Sequence, residues 1–341
     1  MPSAVPAQNA QAHGPRSAGR RSKSVIIAKN IANNLRCRLR LALGQAGSTI
    51  GSSHVGKTLT RSLDYIDATY RDYVFYGNLS SAEIAGKRIL EVGAGDNFGV
   101  ALEFLAAGAG KVVTLDKFVS ERNSEHNAAV YAGIRERLGG SEVRNFDRAV
   151  DLAGGVRFNA ERLQTIEGVG TEEADRISPP GTFSLIVSRA VLEEIYEIDR
   201  AFEAMDRLLA PGGRMLHKID LRDYGMFSNH GMHPLEFLTI PEAVYALMAS
   251  HSGQPNRRRI DHYRDKLRQL GYSGDLLVTA VAGEPGEVLP HQAKIEPGRD
   301  YSARSLELVQ AIRPRLARRF RELPDEDLLV TGIFLVARKP G

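Results

Sequence analysis

Apolar and polar positions between residues 88 and 118 follow a strand pattern, then a helix pattern, then a strand pattern again. RILEV is a short β-rich run that begins at Arg88, and KVVTLD supplies a second apolar strand. Between them, apolar residues recur at helical spacing, at Phe98, Ala101, Leu102 and Leu105. The pattern predicts a βαβ unit whose glycines, in GAGDN, lie at the first turn.

The same alternation continues downstream. FSLIVS is a continuous apolar run typical of a strand buried on both faces of a parallel sheet, and RMLHKID follows a Pro-Gly-Gly turn as the next strand. DLLVTAVAG and LLVTGIFLVAR predict two further strands. A helical stripe precedes the Pro-Gly-Gly turn, at Ile195, Ile198, Phe202, Met205 and Leu209. This order predicts an α/β fold, a doubly wound, Rossmann-like and mostly parallel sheet that binds ligands at the carboxyl ends of its strands.

The N-terminal extension follows a different pattern. Residues 1–23 are rich in Ala, Ser, Pro, Gly and Arg, so they are predicted to be disordered. Residues 24–43 place apolar side chains at fourfold spacing, at Ile27, Ile31, Leu35 and Leu39. Basic side chains lie elsewhere around the helical wheel, at Lys29, Arg36, Arg38 and Arg40. This predicts a basic amphipathic helix that docks on the domain or lies on an anionic membrane surface. A third interpretation of this N-terminal segment is an organelle transit peptide.

Three segments are predicted along the chain. Residues 1–45 form the basic tail, residues 46–85 a linker and helical lid, and residues 86–341 the sheet domain. The lid is the aromatic stretch YIDATYRDYVFYG, which either covers the ligand edge or packs on the flank of the domain. An insert at about 283–323 joins the last two strands, and we expect it to shape a closed acceptor pocket.

Composition limits the class of protein. The chain has 341 residues, 43% hydrophobic and 25% charged, which is enough to bury a sizeable core. Its one cysteine, Cys37, cannot form an internal disulfide. No stretch approaches the roughly 18 uninterrupted apolar residues that a membrane-spanning helix needs. We therefore expect a cytoplasmic location, with peripheral membrane contact through residues 24–43 as the alternative.

The net charge of +4 is unevenly distributed. The first 63 residues carry ten Lys or Arg and no acidic residue, which leaves 35 basic and 41 acidic residues, a net charge of −6, in the rest. Two basic runs near 257 and 312 alternate with leucines and isoleucines, as solvated helix faces do, although an acidic or phosphorylated acceptor would also suit them. A nucleic-acid groove across the body is not expected.

Residues 51–58, GSSHVGKT, match the phosphate-binding loop pattern of ATPases. Such a loop follows a buried strand and opens a helix, whereas the preceding LALGQAGSTI supplies no convincing strand. An ATPase would also need an Asp that holds magnesium, and Asp116 is better matched to another site. The sequence therefore favours a linker. Its pattern-matching residues are Gly51, Gly56, Lys57 and Thr58.

The first glycine turn and Asp116 have the spacing of a nucleoside-cofactor site. Gly93 permits a tight turn, and Gly95 lets the backbone approach a ligand. Asp116 ends the second strand 21 residues after Gly95, where a carboxylate accepts both ribose hydroxyls. The dinucleotide fingerprint places a third glycine where this chain has Phe98, which disfavours NAD. Glu91 adds a carboxylate suited to an ammonium group, which favours S-adenosylmethionine.

EVGAGDN followed by VVTLD resembles the opening of a class I S-adenosylmethionine-dependent methyltransferase. FSLIVSRAVLEEI and AFEAMDRLLAPGGRMLHKIDL are similar to the fourth-strand and fifth-strand segments of that family. The resemblance implies that the glycine turn holds the methionine part of the cofactor, Asp116 the ribose, and Asn159, Ala160 or Glu161 the adenine. The residue chemistry and the resemblance together predict these cofactor-binding residues: Glu91, Gly93, Gly95, Asp96, Asp116, Asn159, Glu161 and Ser188.

Methyl transfer is an in-line displacement, so the protein positions the acceptor and, for a hydroxyl, removes a proton. Candidate bases lie just after the fifth strand, in HKIDLRDYGMFSNHGMHPLEF. We predict His230 or His233 as the base and Asp220 as a contact to the acceptor or cofactor, while His217 and Asp223 are the remaining candidates. The two loop histidines lack a further ligand set, so no metal site is expected.

The predicted function is S-adenosylmethionine-dependent methyl transfer to a small-molecule or saccharide acceptor, with O-methylation preferred over N-methylation. Two alternatives stay open. One is an NAD-type oxidoreductase, and the other is a membrane-associated binding protein with a non-catalytic cofactor pocket. The expected partners are the acceptor and, through residues 24–43, a membrane surface.

Overall fold

The computed structural model describes residues 21–43, 47–48, 54–120 and 122–341. Its contacts divide the chain into two compact units. Unit 1 consists of Met1–Leu43, Lys218–Lys266 and Asp275–Leu335, and unit 2 consists of Gly44–His217, Leu267–Gly274 and Val336–Gly341. Part of the GSSHVGKT stretch, residues 51–53, lies outside the described residues, as does most of the segment predicted to be disordered.

The strands in the described part of the chain are β1 (Gly47–Ser48), β2 (Arg88–Val92), β3 (Lys111–Asp116), β4 (Val119–Ser120), β5 (Val150–Asp151), β6 (Arg157–Phe158), β7 (Leu163–Glu167), β8 (Phe183–Arg189), β9 (Leu209–Asp220), β10 (Ser273–Val281) and β11 (Val330–Arg338). The α-helices there are α1 (Lys23–Ala42), α2 (Leu59–Tyr76), α3 (Ser81–Ile84), α4 (Gly99–Ala106), α5 (Ser124–Arg137), α6 (Gly140–Ala149), α7 (Ile198–Leu208), α8 (Glu242–Ala249), α9 (Ile260–Gln269), α10 (Ala303–Ile312), α11 (Arg318–Arg321) and α12 (Asp325–Leu329). Short 3-10 helices span Thr171–Arg176, Leu192–Glu194, Ser228–His230, Glu236–Thr239 and Arg313–Arg315.

Seven of the described strands form one sheet in the order β10-β11-β9-β8-β2-β3-β7, while β1 pairs with β4 and β5 with β6. β2 runs parallel to both of its neighbours, β3 and β8, and β3 runs parallel to β7. From β2, the chain adds strands first on one side and then on the other, which is the arrangement of a doubly wound sheet. The predicted Rossmann-like α/β fold is therefore confirmed.

The centre of the sheet in unit 2 is buried, and most of the buried positions of its strands are apolar. Ile89 and Leu90 in β2, Val112 in β3 and Ile186 in β8 have no exposed surface. β7 differs because it lies at the edge of the sheet, where only Leu163 is buried at its start and the next two residues are exposed. An edge strand needs no apolar run, so its position is weakly marked in the sequence.

Helix α2 packs against α4 and α5 within unit 2. The side chain of Thr58 accepts a hydrogen bond from the N–H of Arg61 at 3.3 Å and so caps the first turn. Leu63 and Ile66 are buried in the interior. A Cβ added to Gly99, the first residue of α4, would lie 2.3 Å from Cδ1 of Ile66. The glycine that allows close packing at the start of α4 is thus Gly99, one residue after Phe98, where the dinucleotide fingerprint has its third glycine.

Helix α1 in unit 1 confirms the predicted N-terminal helix. It packs on α8 through buried Ile26 and Asn34, and Asn34 donates through Nδ2 to the carbonyl of Leu247 at 3.0 Å. Leu35 and Leu39, part of the predicted apolar stripe, are 54% and 62% exposed. The docked face is therefore centred away from that stripe. None of the helices in the described residues has the length and apolar character that a bilayer crossing needs.

Candidate cofactor site

The turn after β2 forms one wall of the candidate site at the carboxyl edge of the sheet. Gly93 and Gly95 have φ angles of +73° and +67°, in the left-handed region that favours glycine. A Cβ at Gly93 would also lie 2.3 Å from Cγ2 of Val191, in the segment after β8. Any side chain at Gly93 would therefore strain the backbone and collide with this neighbour.

Asp116, at the end of β3, forms the second wall. Its Oδ2 accepts a hydrogen bond from the N–H of Gly95 at 3.1 Å, and its Oδ1 accepts one from the N–H of Phe118 at 3.0 Å. Burial raises the pKa of the Asp116 carboxyl, while these two backbone donors oppose the shift. A carboxylate has about four acceptor sites, so the fixed side chain keeps capacity for the hydroxyls of a ligand.

Glu91 is buried in β2 close to Asp116. Its Oε2 has no hydrogen-bond partner among the residues that the structure describes. Burial, with repulsion from Asp116 as the smaller cause, raises the pKa of the Glu91 carboxyl to about 8. A buried carboxyl without a partner is costly, and a cationic ligand group would offset that cost. The residues therefore fit a cofactor with an ammonium or sulfonium group.

Asp96 holds together two parts of unit 2. It is 3% exposed, and its carboxylate accepts hydrogen bonds from the N–H of His54 at 3.1 and 3.2 Å and from the N–H of Val55 at 3.1 Å. These contacts attach the segment before α2 to the glycine turn. The predicted contact of Asp96 with the methionine part of the cofactor stays a proposal.

Ser188 forms a buried pair with His217 from the next strand. The Ser188 Oγ and the His217 Nδ1 lie 2.7 Å apart, and both residues are almost fully buried. Burial lowers the pKa of His217 to about 3, so its ring is neutral at physiological pH. The Ser188 hydroxyl thus already has a structural partner, and its predicted cofactor contact stays a proposal.

The adenine prediction for Asn159 and Glu161 needs a correction. β3 and β7 are parallel and pair Asp116 with Glu167, so the carboxyl end of β7 is Glu167. Asn159 and Glu161 precede β7 and lie at its amino end, at the opposite edge, because β7 alone spans four residue steps, roughly 13 Å at the usual strand rise. Both are exposed, and Asn159 donates to the carbonyl of Arg148 at 3.0 Å. Ala160, between them, shares this placement.

Arg122 and Glu167 are site residues that the sequence reasoning missed. Arg122 donates through Nη2 to Oε1 of Glu167 at 2.5 Å and to the carbonyl of Gly95 at 3.3 Å. Its guanidinium also lies 4.4 Å from the centroid of the Phe98 ring. Neither residue belongs to a motif. The one available signal was a charged residue at the end of β7 and another two residues after β4, which is too common to single them out.

The predicted catalytic residues His230, His233 and Asp220 lie in unit 1. Asp220 pairs with Arg222 at 2.5 Å. His233 is engaged through both ring nitrogens, since Nδ1 accepts from the N–H of Leu235 at 3.0 Å and Nε2 lies 3.0 Å from the carbonyl of Leu308. His230 differs, because its Nδ1 is buried and without a hydrogen-bond partner in the described part of the chain.

Asp223, the remaining acidic candidate, organises its own loop. Its carboxylate accepts hydrogen bonds from the N–H groups of Gly225, Phe227 and Ser228 and from the Ser228 hydroxyl, at 2.7 to 2.9 Å. These bonds hold the segment that leads to His230. The described residues contain no group of three His, Cys, Asp or Glu side chains placed to hold a metal ion.

The sheet order, the glycine turn and the carboxylate at the end of the next strand define a nucleoside-cofactor-binding protein. A family model described as a methyltransferase domain matches residues 69–273, more than half of the chain, so the chain belongs to this methyltransferase family. The predicted class I S-adenosylmethionine-dependent methyltransferase is confirmed, and S-adenosylmethionine is its cofactor. Membership of this family decides against the NAD-type oxidoreductase.

Solved methyltransferase structures resemble the chain at low sequence identity. An S-adenosylmethionine-dependent methyltransferase from Mesorhizobium loti is 15% identical over 80% of this chain and 100% of that chain, with a TM-score of 0.40. Phosphoethanolamine N-methyltransferase 2 from Haemonchus contortus is 14% identical over 82% of this chain and 53% of that chain, with a TM-score of 0.40. An arsenic(III) methyltransferase from Chlamydomonas reinhardtii is 16% identical over 81% and 73%, with a TM-score of 0.38. No curated protein sequence gives a significant match.

Proposed function

We propose that the protein methylates a hydroxyl group of a small-molecule or saccharide acceptor. The observation that supports an oxygen acceptor is the buried Nδ1 of His230, for which the described residues offer no hydrogen-bond partner. A hydroxyl loses its proton when it is methylated, so it needs a base, and a neutral imidazole nitrogen is the usual one. His233 is less suited because backbone groups occupy both of its nitrogens. The carboxylate of Asp220 is already paired with Arg222.

In this proposal each side chain has one task. S-adenosylmethionine supplies, when bound, a methyl group on a positively charged sulfur. Asp116 binds the ribose hydroxyls, and Glu91 offsets the positive charge near the methionine end. His230 would take the proton from the acceptor oxygen while the methyl carbon leaves the sulfur and bonds to that oxygen, which would leave S-adenosylhomocysteine, the methylated acceptor and a protonated base.

A transfer assay tests the proposal. The purified chain is incubated with methyl-labelled S-adenosylmethionine and matched acceptors that differ only in a hydroxyl or an amine, among them monosaccharides and their amino analogues. We expect label on the hydroxyl series. His230→Gln should lower kcat about 100-fold, the loss typical of a general base, without changing S-adenosylhomocysteine affinity. His251→Gln, a histidine of the same unit whose Nδ1 lies 2.8 Å from the Ser250 hydroxyl, is the matched control. Label on amines alone, or a fully active His230→Gln, would count against the proposal.

We also propose a cytoplasmic protein that contacts membranes peripherally through residues 24–43. The outer face of α1 exposes Leu35, Leu39 and Leu43 beside Arg36 and Arg40, a combination suited to anionic lipid. Vesicle co-sedimentation checks this. Leu35→Glu with Leu39→Glu should abolish binding to anionic vesicles. Binding that is equal on neutral vesicles, or that survives the double substitution, would contradict the proposal.

A further inference from the structure

Two cations approach one aromatic ring beside the glycine turn of unit 2. The Lys57 Nζ lies 4.0 Å from the centroid of the Tyr65 ring, and the guanidinium carbon of Arg189 lies 5.3 Å from the same centroid. Both distances are within the range of favourable cation–π contacts. Tyr65 belongs to α2 and Arg189 ends β8, so the ring fixes a lysine from the segment before α2 near the sheet.

This cluster of Lys57, Tyr65 and Arg189 adjoins the cofactor turn from two sides. Lys57 closes the short turn that starts at His54, and the N–H groups of His54 and Val55 are bonded to Asp96, one residue after Gly95. Val191, two residues after Arg189, approaches Gly93 within 2.3 Å of where a Cβ would stand. Lys57 and Arg189 therefore lie at the carboxyl edge of β2.

The positive charge of the cluster is only partly compensated. Arg189 donates to Oδ2 of Asp72 at 2.9 Å. Lys57 forms no ion pair with any carboxylate that the structure describes, and its charged group contacts the Tyr65 ring instead. Burial lowers the pKa of Lys57, the nearby Asp96 opposes this, and Arg189 adds to it. An anion bound beside Lys57 would stabilise its charge.

A buried carboxyl lies in the same part of unit 2. Glu91 comes two residues before Gly93, is fully buried, and has the Oε2 atom without a partner described above. Burial raises the pKa of Tyr73 in α2, Glu91 adds to this rise, and Arg189 opposes it, so Glu91 and Arg189 both act on the same tyrosine. A cationic pair and a buried carboxyl near one glycine turn complement a ligand that carries both a carboxylate and an ammonium group.

We propose that Lys57, supported by Arg189, binds the carboxylate of the methionine portion of S-adenosylmethionine. The inference rests on the proposed function. It adds a residue outside the stretch 69–273 that the family model matches. It also gives GSSHVGKT a role, in which its lysine binds a carboxylate of the cofactor rather than a nucleotide phosphate, and its threonine caps α2.

Calorimetric titration with two ligands tests the inference. S-adenosylhomocysteine and 5′-methylthioadenosine share the nucleoside, but only the first carries the amino acid. Lys57→Met should weaken S-adenosylhomocysteine binding about tenfold, as expected for one charge-assisted contact, and leave 5′-methylthioadenosine binding unchanged. Lys57→Arg should restore most of the loss. Arg61→Met, an exposed cation in the first turn of α2, is the matched control and should bind both ligands as the wild type does.

The outcomes separate this inference from the proposed function. A wild-type chain that binds neither ligand would overturn both. A wild-type chain that binds S-adenosylhomocysteine with the same affinity as Lys57→Met would overturn the lysine contact alone and point to an anionic acceptor as the partner of the cluster. Equal losses for the two ligands in a folded Lys57→Met, verified by circular dichroism, would also overturn it, because the effect would then not depend on the carboxylate.

Discussion

Asp116→Ala is expected to weaken the binding of S-adenosylhomocysteine about 100-fold. A hydrogen bond to a charged group contributes roughly 1.5–3 kcal/mol, and the ribose offers two hydroxyls to this carboxylate, so a combined loss of about 3 kcal/mol is reasonable. Titration calorimetry measures it directly. Because 5′-methylthioadenosine carries the same ribose, its affinity should fall by the same factor. Asp116→Ala should therefore weaken the binding of both ligands, whereas Lys57→Met should weaken the binding of S-adenosylhomocysteine alone.

Two further variants distinguish a lost ribose contact from a general loss of structure. Asp116 also accepts from the N–H groups of Gly95 and Phe118, so its removal loosens the glycine turn as well as the ribose contact. Asp116→Asn keeps the volume and one acceptor oxygen, and it should lose less affinity. Asp147→Ala removes an exposed carboxylate of α6 that pairs with Arg135 at 2.7 Å, and it should change neither binding nor stability appreciably. A folded Asp116→Ala with wild-type affinity would show that the ribose lies elsewhere.

The central strands were predictable because most of their buried positions are apolar. The inner residues of β2, β3 and β8 are buried, and their sequences RILEV, KVVTLD and FSLIVS are mainly apolar and β-branched there. β7 is at the edge, where Gln164 and Thr165 face solvent, so its sequence LQTIE lacks that signature. The adenine residues were consequently assigned from VRFNAERL, too early in the chain. An error in one weakly marked strand moved Asn159 and Glu161 to the wrong edge of the sheet.

Contacts between residues far apart in the chain explain the remaining differences. The pair of Ser188 with His217 depends on two strands lying side by side, and nothing local in either strand signals it. Arg122 contacts Glu167 and Gly95 for the same reason. The sequence shows only that Phe98 replaces the third glycine of the dinucleotide fingerprint, whereas the structure shows that Gly99 makes the tight contact with α2. Motif spacing thus identified the turn and Asp116, but not the side chains that hold them in place.

Arg259→Ala is expected to lower the free energy of unfolding by about 4 kcal/mol. Arg259 is 1% exposed in unit 1 and donates to the carbonyls of Leu221 at 2.8 Å, Leu328 at 2.9 Å and Val330. Its removal leaves these acceptors without that donor and leaves a cavity, and such losses cost roughly 1–3 kcal/mol for each unsatisfied group. Urea unfolding followed by circular dichroism measures the change. With total stabilities of roughly 5–15 kcal/mol, the variant should be marginally stable.

Arg259→Met separates the two causes of this loss. Methionine fills much of the volume but cannot donate a hydrogen bond. The loss in free energy of unfolding in Arg259→Met therefore measures the loss of the three hydrogen bonds to carbonyls, and the additional loss in Arg259→Ala measures the cost of the cavity. Burial lowers the pKa of Arg259 to about 10, and Asp261 and Asp327 oppose that shift, so the charge itself is expensive to bury. If the charge cost outweighs the hydrogen bonds, Arg259→Met will be as stable as the wild type, and the proposed role of Arg259 in joining Leu221 to Leu328 and Val330 fails. Arg318→Ala, an exposed arginine of the same unit, should stay within about 0.5 kcal/mol of the wild type.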